Sequence, residues 1–511
     1  MGLAAAGLGW RGSALAAVVP EPTPPLLAEP GTAFLPAMVD DIARKLAAAP
    51  YEGPSTELPE SLQNLEYVQY RDIYFRPDSA VWKGGNLPFL VEFFHRGFYF
   101  KEKIDVAIVD GGTARHVVYE PRLFGFGKLV PRPLPTEDIG FAGMRLATRL
   151  GRDDDNFGEF LVFQGASYFR SLGIGETYGI SARGLAVKTA SPDGEEFPLF
   201  REFWIEQPRP ESTEIVVHAL LDSPSVAGAY HFRVRPGKET AMDVTAKLFP
   251  RVDLAEIGLA PGTSMFFFDG NGRVNVDDYR PEVHDSDGLL MMNGAGERLW
   301  RPLANPRDLQ ISAFQDNNPV GFGLIQRDRA FASYQDLEAD YQNRPSLWVE
   351  PVGAWGPGAV NLVEIPTDAE IHDNIVAFWT PATPLKAGTE FDFAYRLNWG
   401  AVPAPEAGAV SGPPTRRGRA PSDHPTGERL FVIDFTMPAG GERGEAAPKA
   451  TVTASAGTVS GVTVAEDPEI DGWRLTFKLD PADAASIELR AALIFADGRQ
   501  VETWVYRWTG D

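Results

Sequence analysis

The feature that most restricts this chain is a dense succession of short, strand-like runs with almost no helical periodicity between them. Runs such as Phe89–Phe94 (FLVEFF), Thr213–Ala219 (TEIVVHA) and Phe391–Leu397 (FDFAYRL) are rich in β-branched and aromatic residues, and many alternate apolar with polar. That alternation suits a pleated strand, whose side chains point to opposite faces at every second residue. Clusters such as Asp269–Gly272 (DGNG) and Asn317–Pro319 (NNP) separate the runs, as turns do. Many strands at short spacing predict an all-β protein of stacked antiparallel sheets. Doubly wound and barrel α/β folds are excluded, because each of their strands is followed by a long amphipathic helix. One helix is predicted over 34–49, where Leu35, Val39, Ile42 and Leu46 share a face and Asp40, Asp41, Arg44 and Lys45 lie elsewhere.

A chain of 511 residues exceeds one ordinary core and predicts two domains. Residues 401–427 are rich in Pro, Gly and Ala without apolar periodicity, which reads as a linker. It divides a strand-rich domain over 31–400 from a second over 428–511, where strand patterns resume at 430–435, 450–453, 473–478, 487–490 and 501–506. The second suits an immunoglobulin-like sandwich. No internal repeat is evident. At the start, Met1–Val19 is rich in Ala, Gly and Leu and precedes a Pro-rich stretch over 20–30. It reads as the remnant of an export signal without its basic region, or as an Ala/Gly tail. No apolar run beyond it is long enough to span a membrane.

The formal net charge of −23 repels phosphate backbones and anionic lipid, so neither nucleic acid nor a membrane surface is expected as a partner. A neutral sugar chain meets no such barrier. With no cysteine, disulfides, thiol nucleophiles and thiolate-bound metals are ruled out. No phosphate loop, HExxH or EF-hand pattern occurs. Ser167 in GASYF lacks the second glycine of a nucleophile elbow. His95, His218 and His231 lie in strand-like runs and suit hydrogen-bonded structural roles. His284 and His372 each precede an aspartate, but strand neighbours face opposite ways, so neither pair is a ready-made metal site. No metal or organic cofactor is indicated.

Carboxylates and aromatics remain. Asp285 lies in the polar segment Tyr279–Gly288, and Asp373 directly precedes the strand pattern Ile375–Trp379, although most aspartates are solvated surface groups. Tyr168, Phe169, Trp204, Trp300, Tyr341, Trp348, Trp355 and Trp379 fall near Gly, Pro and charged residues. Aromatic rings pack on the flat C–H faces of sugars, yet most rings in a sandwich are core. About a third of these are expected to line a groove.

Several blocks then carry a resemblance. Gly165–Arg170 (GASYFR), Tyr178–Ala186 (YGISARGLA), Gly194–Pro198 (GEEFP), Glu202–Glu206 (EFWIE), Ala219–Pro224 (ALLDSP), Tyr279–Ser286 (YRPEVHDS), Trp300–Leu303 (WRPL) and Asp373–Pro381 (DNIVAFWTP) are similar to the OpgG/OpgD (MdoG/MdoD) periplasmic glucan biosynthesis family. The similarity is collinear from about Met38 to the C-terminus and weakest in the linker. It implies a large galactose-mutarotase-like β-sandwich followed by an immunoglobulin-like one, and a periplasmic location. It also implies β-1,2-glucan as ligand, the membrane glucan synthase as a partner, and kinship with inverting β-1,2-glucanases. In that scheme Asp373 is the general acid and Asp285 the general base, acting through a relay. Tyr341 and Arg344, in the block YQNRP, are implied at the substrate, with Trp300, Tyr168 and Trp379. Burial beside Trp379 is expected to raise the proton affinity of Asp373. His372 precedes it where another member carries asparagine. Three functions stay open from sequence: inverting hydrolysis, inverting transfer to a sugar 6-hydroxyl giving an α-1,6 link or ring, and non-catalytic glucan binding.

Overall fold

A computed structural model describes residues 24–149, 156–273, 276–401, 416–419, 427–437, 447–498 and 500–510. The expected export signal and most of the expected linker lie outside them. Among the described residues the protein is all-β, as the alternation predicts.

Two large sheets carry the architecture. The longer, fifteen-stranded sheet has at its centre an antiparallel run of Leu199–Glu206, Ile215–Asp222, Val226–Arg235, Thr240–Pro250, Phe391–Gly400, Ser346–Val352, Gly321–Ile325, Gly288–Met292 and Arg298–Pro302. The ten-stranded sheet runs from the edge strand Gln310–Asn317 through Pro357–Glu364, Ile375–Pro381 and Ile257–Ser264 to Phe89–Phe94. One apolar core joins them: Phe200, Phe203, Phe232, Leu248 and Trp399 of the first sheet and Phe163, Phe169, Leu362 and Trp379 of the second belong to it. Burial of such a contiguous layer between sheets is the main favourable term in a fold of this kind.

The predicted helix forms over Ala37–Ala47, after Pro36. Its buried residues are Val39 and Ala43; Ile42 and Leu46 are half-buried, and Leu35 is exposed. Leu35 precedes the first helical turn, so the helical period does not carry it onto the docked face. The strand Arg416–Arg419 falls inside the stretch expected to be a linker or long surface loop and pairs with Arg429–Thr436. The strand Thr458–Asp467 was not among the runs read from the C-terminal part, because Thr, Ser, Gly and Glu interrupt its apolar pattern.

Thr503–Thr509 pairs in parallel with Arg298–Pro302 and extends the long sheet onward to Ser486–Ile494 and Lys449–Ala454. A second apolar core spans the junction, with Leu290, Trp300, Ile325 and Trp348 packed among Phe431, Phe477 and Trp504. Glu502, fully buried there, pairs with Arg298 at 2.9 Å and with Arg327 at 2.7 Å.

Candidate functional site

Asp285 and Asp373 meet at one end of the ten-stranded sheet, and the main chain explains how. The strand Ile375–Pro381 pairs with Ile257–Ser264, so that Ile375 stands opposite Ser264. Met265 and Phe266 come next. The Asp285 N–H donates to the Met265 carbonyl at 2.8 Å. The Phe266 N–H donates to the Asn374 side-chain oxygen at 2.8 Å, while the Asn374 amide donates to the carbonyls of Phe266 and Ile365 at 3.0 Å each. Buried polar groups of this kind are worth most when every donor and acceptor is used. Two consecutive residues thus fix the backbones of both aspartates.

The two carboxyl groups differ in environment. The Asp285 side chain is only 5% exposed and is bonded by the Arg344 guanidinium. Burial pushes its proton affinity up, Arg344 opposes this, and the charge of Asp373 adds to it. The aspartates therefore sense one another. Asp373, with its side chain 35% exposed, accepts from Arg170 and Ser181 at 3.5 Å each. Beneath Asp285 the buried His284 contacts Gln326 at 2.9 Å and Glu282 at 3.2 Å. Burial works against its charge, but Glu282 and Asp287 prevail and raise it to about 9.

Arg344 follows the short turn Tyr341–Asn343. Its guanidinium lies 4.2 Å from the centre of the Tyr341 ring, and its Nε donates to the Ala339 carbonyl at 3.1 Å. Its stem crosses Gly179, where a Cβ would come within 2.9 Å of the Cβ and Cδ of Arg344. Only glycine leaves that passage open. The Tyr341 hydroxyl donates to Glu370 at 3.2 Å, and Arg280 binds both Glu370 and Asp336 at 2.8 Å. On the Asp373 side Tyr168 is half-buried beneath Arg183, whose guanidinium lies 4.7 Å from its ring centre. Burial, opposed by Arg183 and reinforced by Asp373, pushes the Tyr168 phenol up.

Tyr168, Tyr341, Arg344, Asp285 and Asp373 are thereby brought together; two other expected residues are not. Trp379 is fully buried in the main core, 6.2 Å from Trp355. Arg170 and Ser181 are the partners of Asp373 that the sequence reading missed. Trp300 lies in the second core beneath Arg327, at 3.5 Å, and opposite Trp504. Strand period places both rings on an inward face; the pattern around them cannot show that both faces of these strands are covered. Arg170, Ser181 and Gly179 fall within blocks singled out in the sequence, and Asn374 adjoins Asp373, but no local pattern marks their contacts. His372 bonds the Thr367 hydroxyl at 2.9 Å. Among the described residues no group of three His, Asp or Glu side chains is placed to hold a metal ion.

Comparison with known proteins gives a family. The model described as "Periplasmic glucan biosynthesis protein, MdoG" matches residues 34–508. The chain belongs to that family. Proteins named "Glucans biosynthesis protein G" are close in sequence. One from Vibrio cholerae serotype O1 is 57% identical over 468 residues, covering 92% of this chain and 85% of the relative. One from Shewanella baltica is 54% identical over 505 residues, covering 97% and 93%. The family's description contains the word periplasmic, and no helix among the described residues is long and apolar enough to cross a membrane.

Proposed function

We propose that this protein acts in the periplasm on β-1,2-linked glucan, received from a membrane synthase, and cleaves it with inversion at the anomeric carbon. The observation carrying this reading is the unequal carboxylate pair, one buried on an arginine and one open beside a half-buried tyrosine. Inverting hydrolysis needs an acid at the glycosidic oxygen and a base on the opposite face of the ring, with room for water between them. In this reading Asp373 donates a proton to the departing oxygen as the bond to the anomeric carbon breaks. Water adds to that carbon and loses its proton towards Asp285, through an intervening hydroxyl. Arg344 keeps Asp285 charged while substrate excludes water.

Transfer to a sugar 6-hydroxyl uses the same two groups and differs only in what occupies the water's place. The opposite assignment of roles has one observation in its favour, the raised proton affinity of Asp285. Incubation of linear β-1,2-glucan with the protein, Asp373→Asn and Asp285→Asn, followed by anomeric NMR, tests the proposal. Reducing products released as the α-anomer, and lost in both variants, support hydrolysis, and non-reducing rings support transfer. A substrate with a good leaving group needs no acid, so it restores turnover in Asp373→Asn alone if the roles are as proposed. Glucan that stays bound and intact with the unaltered protein refutes catalysis and leaves a binding protein.

A further inference from the structure

Asp285 stands beside a buried charge that the chemistry proposed above does not use. The preceding residue, His284, has a side chain only 1% exposed. Its hydrogen bonds fix its protonation state. Gln326 points its amide nitrogen at the carbonyls of His284 and Tyr341, at 2.9 and 3.4 Å, so its oxygen is the atom that lies 2.9 Å from His284 Nδ1. An amide oxygen only accepts, and Nδ1 therefore carries a hydrogen. Across the ring, Nε2 meets the Glu282 carboxylate at 3.2 Å, and an ionised carboxylate likewise only accepts. Both nitrogens donate, so the ring is an imidazolium.

Several segments meet on this ring. Phe266 stacks on it, at 5.3 Å between ring centres and 11° between planes, and Tyr334 of the short helix Phe331–Tyr334 meets it edge-on at 5.3 Å. Through Gln326 the ring is tied to the Tyr341 carbonyl, in the turn that precedes Arg344. Asp287 Oδ2 accepts from the N–H groups of Arg327 and Asp328 at 2.6 and 2.9 Å. Its Oδ1 has no hydrogen-bond donor among the described residues and lies 3.6 Å from His284 Nδ1. The charged groups that act on the ring are Glu282, Asp285 and Asp287 of its own segment and Asp269 after the strand Phe266–Phe268, while Arg329 interacts with Asp287 and Tyr334. Buried carboxylates depend on a counter-charge, and one imidazolium supplies it to the segment that carries Asp285.

We propose that His284 is a positioning residue: its imidazolium holds the backbone of Asp285 and the turn before Arg344 in one arrangement, and loss of its single extra proton ends glucan cleavage on the alkaline side. This rests on the glucan reading above. Once neutral, the ring turns a lone pair towards either Gln326 Oε1 or Glu282, and both are acceptors. Gln326 cannot reverse its amide without abandoning two carbonyls. The ring or Glu282 must then shift, and the neighbouring Asp285 with it.

The test pairs nitrogen NMR of isotope-labelled histidine rings with a pH–rate profile. The substrate is an aryl β-1,2-linked oligoglucoside, whose leaving group needs no acid, so the proton of Asp373 drops out of the profile. His284 should show two ring N–H groups at neutral pH and titrate near 9. The rate should fall with the same midpoint, to about one tenth of its plateau at about pH 10, while circular dichroism shows the fold intact. Glu282→Gln removes a carboxylate that favours the charge, and should move the ring midpoint and the fall in rate down together by about one to three pH units. A single ring N–H at neutral pH overturns the proposal, as does a fall in rate that stays in place when the ring midpoint moves. A fall in rate that only accompanies unfolding marks a purely structural cation and overturns it too. If the unaltered protein cleaves the aryl substrate at no pH, the glucan reading falls and the positioning role with it, whereas cleavage without the expected alkaline fall removes the positioning role alone.

Discussion

Replacing Arg344 by Met keeps an apolar stem against Gly179 and Tyr341 but takes away the guanidinium bonded to Asp285. A carboxylate that is 5% exposed then has no counter-charge at its oxygens, and removing one partner of a buried pair generally costs about 3–5 kcal/mol. Protonation offers a limit. If Asp285 becomes neutral in the folded variant, the cost relative to an ordinary aspartate at 3.8 is about 1.4 kcal/mol for each pH unit above that value. At pH 7 the ceiling is therefore about 4 kcal/mol. Partial exposure of the Arg344 side chain, at 19%, admits water and lowers the expected loss to about 2–4 kcal/mol. A raised carboxyl binds a proton in the folded state that the unfolded chain binds only at lower pH. The penalty must therefore shrink on acidification, by up to about 2–3 kcal/mol between pH 7 and pH 5. Denaturant unfolding of both proteins at the two pH values measures it. A loss below about 1 kcal/mol at pH 7, or one independent of pH, would show that Arg344 does not hold a charged Asp285.

Asn374→Ala leaves the Phe266 N–H and the Phe266 and Ile365 carbonyls without their side-chain partner, at an expected cost of about 2–4 kcal/mol. By loosening the backbone next to Asp373 it should also slow the proposed glucan cleavage, with both carboxyl groups still present in the chain, and unfolding together with kinetics measures both effects. Gly179→Ala should displace Arg344 and reproduce part of the Arg344→Met effect, with a smaller change in melting temperature. His95 is neutral in the fold: its Nδ1 faces the Arg96 carbonyl at 2.7 Å, its Nε2 faces the Tyr119 hydroxyl at 2.7 Å, and burial lowers it to about 4. Its contribution is full above the ordinary value of 6.5 and fades as pH falls towards about 4, so about 2 kcal/mol should be lost between pH 7 and pH 5; His95→Gln should flatten that slope in urea titrations. Ending the chain at 427 would uncover Leu290, Trp300, Ile325 and Trp348, and the truncated protein should aggregate in size-exclusion chromatography.

Alternation and turn chemistry are local, and they sufficed to establish an all-β chain and to place Asp373 just before the strand Ile375–Pro381. The collinear blocks were likewise enough to point to the family. Contacts between residues far apart in the chain were beyond such patterns. Arg344 and Asp285 are 59 residues apart, and Ser181 and Asp373 are 192 apart; no period in the chain encodes that they touch. A strand period says which residues share a face and is silent on whether that face meets water, a second sheet or a ligand. Trp379 and Trp300 therefore read as groove residues and lie in cores, while Tyr168 and Tyr341, singled out on the same signal, stand close to the carboxylates. The parallel pairing of Thr503–Thr509 with Arg298–Pro302 was equally beyond local patterns, because sheet extension depends on where two edges meet in space.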